Sequence, residues 1–590
     1  MSTDQWTHPS QRSEAPVPEA VPAVPGPATG GTDHPAPGKV VDAVVIGAGF
    51  GGLYAIHQLR THGFSLRGFE VAGDVGGTWY WNRYPGARCD IESVEYSYSF
   101  SEELQQEWTW TQRYPEQPEL LAYIQHVADR FDLRRHFTFE TRVTSAVFDE
   151  EIDCWTVTTD AGEQVRTRFV VTAVGCLSSS RVPDFPGLDR FRGRAVHTGR
   201  WPHEGVDFTG QRVALIGTGS SGIQSLPLIA EQAAHVTVFQ RTPNFSISGA
   251  NQPLDPEQVR DVKEHYAEYR AQARRSFGGS MIRTNRVSVF AVSEEERRAQ
   301  FEARWTMGGF AFMAAFEDLG TDLAANALAA EFVSEKIRQA VADPAVAERL
   351  VPTDHPIGSK RICVDTGYFE TFNRDDVRLV DVKQTPIEEI TETGVKVDGR
   401  VHEVDVIVFA TGFDAMTGSL LAMDIRGRGG LTLREKWAAG PRTYLGLGTA
   451  GFPNLFTVTG PGSPAVLSNV VLAVEQHVDW IVDCLEYLRD EGLATIEAEV
   501  EAEDAWVDHV NDAADRTLYK QANSWYLGAN VPGKPRVFMP YAGGVGRYRK
   551  RCDAVAADGY TGFRLAPPGG LTGTEPSEAD PQPVGILAGS

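Results

Sequence analysis

The strongest constraint on the fold is a glycine-rich loop that occurs twice, each time between an apolar run and a helix-forming segment. The first loop, GAGFGG at 47–52, follows AVVI, and the second, GTGSSG at 217–222, follows VALI. Glycine at these spacings permits a tight turn, close approach of the backbone to a pyrophosphate, and close helix–strand contact. The phosphates then lie at a helix N-terminus. This pattern predicts an α/β fold with two Rossmann-like dinucleotide-binding domains. The predicted loop residues are Gly47, Gly49, Gly52, Gly217, Gly219, Ser220 and Gly222.

The residue that ends the second strand of each unit predicts which nucleotide binds there. In the first unit the strand LRGFE ends in Glu70, 23 residues after Gly47. A carboxylate at this point binds an unphosphorylated ribose, as in FAD or NAD. In the second unit the strand HVTVFQRT ends in Arg241 and Thr242 instead. A cation in this place accepts a ribose 2′-phosphate, so we expect NADPH at the second loop.

Composition excludes several classes of partner. The 590-residue chain has a formal net charge of −24, which disfavours binding to nucleic acid and to anionic membranes. It has no run of ~18 apolar residues that would span a bilayer, and its N-terminus lacks the layout of a signal peptide. The six cysteines show no C-x-x-C pair and no spacing typical of zinc sites, so no metal is expected. We therefore expect a cytoplasmic protein with reduced thiols.

Changes in composition along the chain predict its domain organisation. Both ends are rich in proline and poor in bulky aliphatic residues, which is typical of disorder. Charged, helically periodic segments lie between the two glycine-rich units, and Ser293 and Glu296 have the spacing of a capping box. The predicted parts are a disordered arm (1–38), a first part of the FAD-binding domain (39–182), an NADP-binding domain (183–409) with a helical insertion at about 245–365, a second part of the FAD-binding domain (410–566) and a disordered tail (567–590).

Two nucleotide sites in one chain indicate a bound flavin that a diffusible nicotinamide reduces. The electrons then pass to oxygen, a disulfide or a quinone. A redox disulfide needs a nearby cysteine pair, and a quinone reductase usually needs membrane contact, and the sequence offers neither. Oxygen is therefore the expected acceptor.

One segment makes the resemblance to a known family specific. The stretch FRGRAVHTGRWP matches the fingerprint F-x-G-x-x-x-H-x-x-x-W-P of the type I Baeyer–Villiger monooxygenases, and it lies just before the second glycine loop. The resemblance extends over roughly 39–565 and is similar to the phenylacetone and steroid monooxygenase branch in GGTWYWNRYPGARCD, GSKRICVD, ATGFDA and GPGSP. The fingerprint positions are Phe191, Gly193, His197, Trp201 and Pro202.

The resemblance implies roles for individual residues. Arg361 is implied to be the catalytic arginine beside flavin and nicotinamide, with Asp90 lying against it. His197 and Trp201 are implied to lie in a linker that couples the domains rather than at the reacting centre. Further cofactor contacts are implied for Gly77, Thr78 and Trp79 in the flavin segment, for Lys360, Arg241 and Thr242 at the 2′-phosphate and for Trp525 at the NADP ribose. Pocket-lining positions are implied at Ala465, Val466 and Leu467.

The same resemblance implies the reaction. FAD, NADPH and O2 would convert a ketone to an ester or lactone through a C4a-peroxyflavin. The small apolar segment at 465–467 favours a bulky hydrophobic ketone, cyclic or polycyclic, such as a terpenoid of secondary metabolism or a catabolic steroid. No nucleic acid or membrane partner is expected, and the chain is expected to be a monomer. Three alternatives stay open: a monooxygenase that oxidises nitrogen or sulfur, an NADPH oxidase and a non-catalytic nucleotide-binding scaffold.

Overall fold

The computed structural model describes residues 39–569, and two β-sheets organise this part of the chain. The arm predicted for 1–38 lies outside the described residues, as does the predicted tail beyond residue 569. In each sheet the strand that precedes a glycine loop has a parallel partner on both sides. The predicted α/β fold with two dinucleotide-binding units is confirmed.

The first sheet has eight strands and carries the first glycine loop. Its central strand Val41–Ile46 is buried at five of six positions, as expected for a parallel strand covered on both faces. It pairs in parallel with Leu66–Phe69 and Gln164–Thr172. The remaining strands of this sheet are Phe137–Thr138, Val143–Asp149, Cys154–Thr159, Asp424–Arg426 and Leu455–Thr457.

The second sheet has five strands, all parallel, and carries the second glycine loop. Arg212–Ile216 lies between His235–Gln240 and Val406–Phe409. The outer strands are Val377–Asp381 and Arg194–His197. The chain then returns to the first sheet through Asp424–Arg426 and Leu455–Thr457. Where each domain begins and ends stays a prediction.

Helices dominate the stretch expected to be an insertion. The capping box predicted at its third helix is confirmed, because Ser293 and Glu296 satisfy each other's backbone N–H groups. A parallel pair of short strands, Ser246–Ser248 and Cys363–Asp365, closes the base of this region. Strands of three residues are too short to show a period, so this pair could not be predicted from the sequence. The helices are Pro256–Glu264, Tyr266–Arg275, Glu294–Met307, Leu323–Ala340 and Pro344–Leu350.

Two long helices form the centre of the core beside the first sheet. Phe50–Thr61 follows the first glycine loop and packs against Val470–Asp490, where most residues are buried. The other α-helices are Thr78–Trp81, Glu102–Glu107, Gln117–Arg130, Ser220–Gln232, Tyr368–Thr371, Gly418–Leu421, Leu433–Lys436, Val500–Asp515 and Val545–Ala557. Two small antiparallel sheets pair Glu389–Ile390, Gly394–Val397 and Arg400–Glu403, and Thr495–Ala498 with Phe563–Ala566. None of the helices within residues 39–569 has both the length and the apolar character that a membrane crossing needs.

Candidate active site

A cavity of about 1790 Å³ lies between the two sheets and touches both glycine loops. Parallel α/β sheets place their ligand sites at the carboxyl ends of the strands, which is where both loops occur. Most of the predicted site residues line this one cavity: Gly47, Gly49, Glu70, Gly77, Thr78, Trp79, Asp90, Gly217, Gly219, Ser220, Arg241, Thr242, Lys360, Arg361, Val466 and Trp525.

The first loop is built to accept a phosphate-bearing ligand with an unmodified ribose. Gly47 has φ +105, and a Cβ there would lie 2.6 Å from the Ala173 carbonyl oxygen, so only glycine fits. The buried Glu70 carboxylate accepts the Ala48 N–H at 2.6 Å and the Ala72 N–H at 2.7 Å, one at each oxygen. Burial raises the pKa of Glu70, and these hydrogen bonds oppose the rise. Because each oxygen has a second lone pair, the carboxylate can still accept ribose hydroxyls.

The second loop lies beside a cluster of three cations. Arg241 follows the strand His235–Gln240, and the positive charges of Arg241 and Lys383 act on Lys360. Burial is the main cause that lowers the pKa of Lys360; the Asp354 carboxylate opposes the fall, and the two neighbouring cations lower the pKa further. Asp354 pairs with Lys383 at 3.3 Å, so three cations face one carboxylate and the cluster keeps a positive charge that suits a phosphate group.

Lys383 was missed by the sequence reasoning. It lies two residues beyond the strand Val377–Asp381, which pairs in parallel with His235–Gln240. The carboxyl ends of these strands therefore lie side by side and bring Lys383 to the same edge as Arg241. A cation shortly after a strand was the available signal, but it points to this site only once the pairing is known.

Arg361 and Asp90 form the polar centre of the cavity. The guanidinium donates from Nε to Asp90 Oδ2 at 2.6 Å and from one terminal nitrogen to Oδ1 at 2.7 Å. Its other terminal nitrogen donates to the Val466 carbonyl oxygen at 2.6 Å. The Phe310 ring centroid lies 5.0 Å from the guanidinium carbon, within the range of a cation–π contact. The arginine is therefore held on its edges and on one face.

Electrostatics keep Arg361 charged. Burial alone would lower its pKa, but the charge of Asp90 and the hydrogen bonds to it outweigh burial and leave the pKa of Arg361 raised. The Tyr526 hydroxyl lies in the field of the same guanidinium. Burial raises the pKa of Tyr526, so this hydroxyl stays neutral beside the cation.

An apolar surface adjoins this centre. Val466, whose carbonyl holds Arg361, packs in a cluster with the buried Met416 and Met539 and with Leu177 and Trp525. Of the three predicted pocket residues only Val466 lines the cavity, whereas Ala465 is buried behind it and Leu467 faces a neighbouring cluster. Cys176 also lines the cavity and belongs to the same apolar cluster.

The fingerprint side chains do not enter the cavity, and they lie instead beside and between the two units. His197 ends the outer strand of the second sheet, and its Nδ1 accepts the Gly199 N–H at 2.9 Å. Burial is the main cause that lowers the pKa of His197 to about 4. The backbone N–H of Trp201 donates to the backbone carbonyl oxygen of Trp81 at 3.3 Å and so links the two units. The predicted residues outside the cavity lining are Gly52, Gly222, Phe191, Gly193, His197, Trp201, Pro202, Ala465 and Leu467.

The chain has two dinucleotide-binding units that share one cavity around a fixed arginine. This arrangement is that of an oxidoreductase with two dinucleotide cofactors. The model of the "flavin-binding monooxygenase-like" family matches residues 39–259. A Baeyer–Villiger monooxygenase of Pseudooceanicola batsensis is 46% identical over 89% of this chain and 96% of its own length. A phenazine N-monooxygenase of Lysobacter antibioticus is 43% identical over 89% of this chain and 97% of its own length.

A solved structure agrees with these relatives. A steroid monooxygenase in its oxidised form, bound to NADP, superimposes with a TM-score of 0.86 at 58% identity, covering 90% of this chain and 100% of that one. The chain belongs to the type I Baeyer–Villiger monooxygenases of the flavin-binding monooxygenase-like family. The expectation that arose from the fingerprint is therefore confirmed.

Proposed function

We propose that this protein uses FAD, NADPH and O2 to convert a bulky hydrophobic ketone to an ester or lactone. The observation that carries the proposal is the Arg361–Asp90 pair inside the cavity that both glycine loops share. A non-catalytic scaffold would have no use for a charged, immobilised arginine between two nucleotide sites.

The first loop would hold FAD and the second loop NADPH. Gly49, Glu70 and the segment at Gly77–Trp79 would bind the flavin nucleotide, because they form the wall of the cavity on the first sheet. Arg241, Thr242, Lys360 and Lys383 would receive the 2′-phosphate, and Trp525 would cover the ribose. The bound cofactors supply hydride transfer and oxygen activation, and the protein supplies position and electrostatics.

Arg361 would stabilise negative charge as it develops on the ketone oxygen. A guanidinium has five N–H donors, and three of them bind Asp90 and Val466, so donors remain for a ligand. The fixed cation does not need to reorganise when the charge appears, which is the condition for strong electrostatic catalysis. Asp90 would set the position of Arg361 rather than react itself.

The apolar cluster beside Arg361 supports a hydrophobic ketone. Val466, Leu177, Ala415 and Trp525 line the cavity and offer no charged group, so a polar substrate would lose hydration there without compensation. The related steroid monooxygenase is named for a polycyclic substrate, which supports a substrate of similar size here. We propose a cyclic or polycyclic ketone, of terpenoid or steroid type, as the substrate class.

Product analysis tests this proposal. The FAD-loaded enzyme, NADPH and a panel of linear, monocyclic and polycyclic ketones should yield ester or lactone products heavier than the ketone by one oxygen atom. We expect the polycyclic ketones to give the highest kcat/KM. Peroxide release with no ester from any ketone would instead indicate an NADPH oxidase.

Oxidation of a ring nitrogen is the second candidate. The relative from Lysobacter antibioticus is named for that activity and is as similar in length and identity as several ketone monooxygenases. Paired incubations with a phenazine and with a polycyclic ketone separate the two activities. Conversion of the phenazine alone would move the assignment to nitrogen oxidation.

Each chain carries both glycine loops and the Arg361–Asp90 pair, so the site needs no second subunit. We therefore propose that the enzyme functions as a monomer, and its six free cysteines support a cytoplasmic location. Size-exclusion chromatography with light scattering tests the monomer, and cell fractionation tests the compartment.

A further inference from the structure

The helix that follows the second glycine loop lies directly against the segment that carries Asp90. This helix spans Ser220–Gln232, and its Gln224 is only 4% exposed. The turn that contacts it contains Gly86, with φ +78, where an added Cβ would collide with the Gln224 carbonyl oxygen. The backbone of one unit therefore packs on the backbone of the other with no side chain between them.

Gln224 spans this contact with two hydrogen bonds. Its side-chain oxygen accepts the Tyr84 hydroxyl at 2.8 Å, and its side-chain nitrogen donates to the Arg88 carbonyl oxygen at 3.3 Å. Burial raises the pKa of Tyr84 to about 12, so the hydroxyl remains a donor near neutral pH. Both Gln224 partners precede Asp90 in the same segment and lie within six residues of it.

The same helix begins at the nucleotide site. Ser220 is its first residue, and Gln224 follows four residues later, about 6 Å along the axis; both residues line the cavity. A helix is rigid over this distance, so a ligand that shifts the N-terminus of the helix also shifts Gln224. At the other end, Arg88 is followed after one residue by Asp90, which binds Arg361.

We propose that Gln224 is a positioning residue that couples nucleotide binding at the second glycine loop to the placement of Asp90, and through Asp90 to Arg361. The inference rests on the proposed function, because it takes NADP as the nucleotide at that loop. Coupling is reciprocal, so a change at Gln224 or Asp90 that breaks the path must also change the affinity for the nucleotide.

Equilibrium titration of the FAD-loaded protein with NADP+ in a calorimeter tests the coupling without any turnover. Gln224→Met keeps the side-chain length and removes both hydrogen bonds. We expect it to weaken NADP+ binding by about fivefold or more in the otherwise unmodified chain. In an Asp90→Ala background the path is already broken, and the same change should alter the affinity by less than about twofold.

Two further variants provide a second test of the coupling and a matched control. Tyr84→Phe removes a single hydroxyl, so it carries the test with the same sign if Gln224→Met fails to fold. Gln58→Met is the matched control, because Gln58 lies on the helix after the first loop and its two hydrogen bonds, to Tyr54 and Asp479, stay on the flavin side. The control should leave NADP+ affinity unchanged.

The outcomes separate the two proposals. An equal loss of affinity in both Asp90 backgrounds would show that Gln224 acts independently of Asp90, through its own helix or by contact with the nucleotide, and it would overturn the coupling. Unchanged affinity in Gln224→Met would overturn it as well. Absence of NADP+ binding by the unmodified protein would overturn the proposed function, and the coupling with it.

Discussion

The Arg361 guanidinium donates two hydrogen bonds to the Asp90 carboxylate, at 2.6 and 2.7 Å, although the two residues lie 271 positions apart in the chain. Asp90 belongs to the segment beside the first glycine loop, whereas Arg361 lies just before the strand Cys363–Asp365 at the base of the helical region. The pair therefore joins the two nucleotide-binding units at the point where their ligands would meet. Any relative movement of the units must act on this ion pair.

The first expectation concerns the flavin site. Gly49→Ala should lower FAD affinity by roughly tenfold or more, about 1.4 kcal/mol, because the added methyl group lies 3.3 Å from Gly77 Cα in the phosphate cradle. Gly320→Ala is the control, since a Cβ there has no described atom within 4 Å. Flavin content after dialysis and fluorescence titration with FAD measure the effect. Equal retention of FAD by both variants would show that the first loop does not bind the flavin.

The second expectation concerns the coenzyme. Arg241→Ala should weaken the preference for NADPH over NADH by about 1.5–3 kcal/mol, the contribution of a charge-assisted hydrogen bond. Lys383→Ala should shift the preference in the same direction. Rates of anaerobic flavin reduction with each coenzyme measure both effects, and the rates with NADH should hardly change. A native enzyme that uses the two coenzymes equally well would contradict this assignment.

Local patterns explain why the two loops were predictable from the sequence. Gly47 and Gly217 have positive φ at the end of a strand. The pattern of apolar strand and glycine loop that predicts this conformation lies within ten residues of chain. The choice of nucleotide also follows a short spacing, from each loop to Glu70 or to Arg241. These features need no knowledge of the tertiary structure.

Long-range contacts explain what the sequence could not predict. Only the family resemblance predicts the pairing of Arg361 with Asp90, because the sequence around either residue does not indicate the other. The Val466 carbonyl that binds Arg361 is a backbone group, and every residue has one, so no residue type marks it. The Gln224 contact depends on how two sheets pack, which the periodicity of single segments does not contain.

The third expectation concerns pH and stability. Burial is the main cause that raises the pKa of Glu95 to about 7 from an ordinary value of 4.5, and the carboxylate of Glu92 adds to the rise. The Met281 N–H and the charges of Arg270 and Arg113 oppose it. The folded protein thus holds a proton that the unfolded chain releases between these pH values. Glu95 is then fully stabilising below about pH 4.5, and its contribution is lost as pH rises through 7.

Glu95→Gln isolates this contribution, because the amide oxygen can still accept the Met281 N–H. Between pH 5 and pH 8 the native protein should lose about 3 kcal/mol of unfolding free energy that the variant keeps. Urea denaturation of both proteins across this range measures the difference. Parallel stability curves would show that Glu95 titrates near its ordinary value.

The last expectation separates the structural and chemical roles of Arg361. Arg361→Ala should abolish ester formation, because negative charge on the ketone oxygen loses its fixed counter-charge. NADPH should still reduce the bound flavin, though more slowly, since hydride transfer does not place charge on the ketone. Arg361→Lys should restore only part of the activity, because an ammonium lacks the planar fork that binds Asp90 through two nitrogens.

Asp90 provides the control for these variants. Arg361→Ala leaves the Asp90 carboxylate, 19% exposed, without its partner, and breaking such a pair costs about 3–5 kcal/mol when it is buried. The double variant Arg361→Ala/Asp90→Ala removes the stranded charge and should recover most of that stability, yet form no ester. Asp90→Ala alone should weaken both flavin reduction and ester formation without eliminating either, because its task is to position Arg361. Stopped-flow reduction, product assays and urea denaturation are measured on the native protein and on the Arg361→Ala, Asp90→Ala and double variants. Ester formation near the native rate by either variant that lacks Arg361 would refute its catalytic role, because stability alone would then explain the pair.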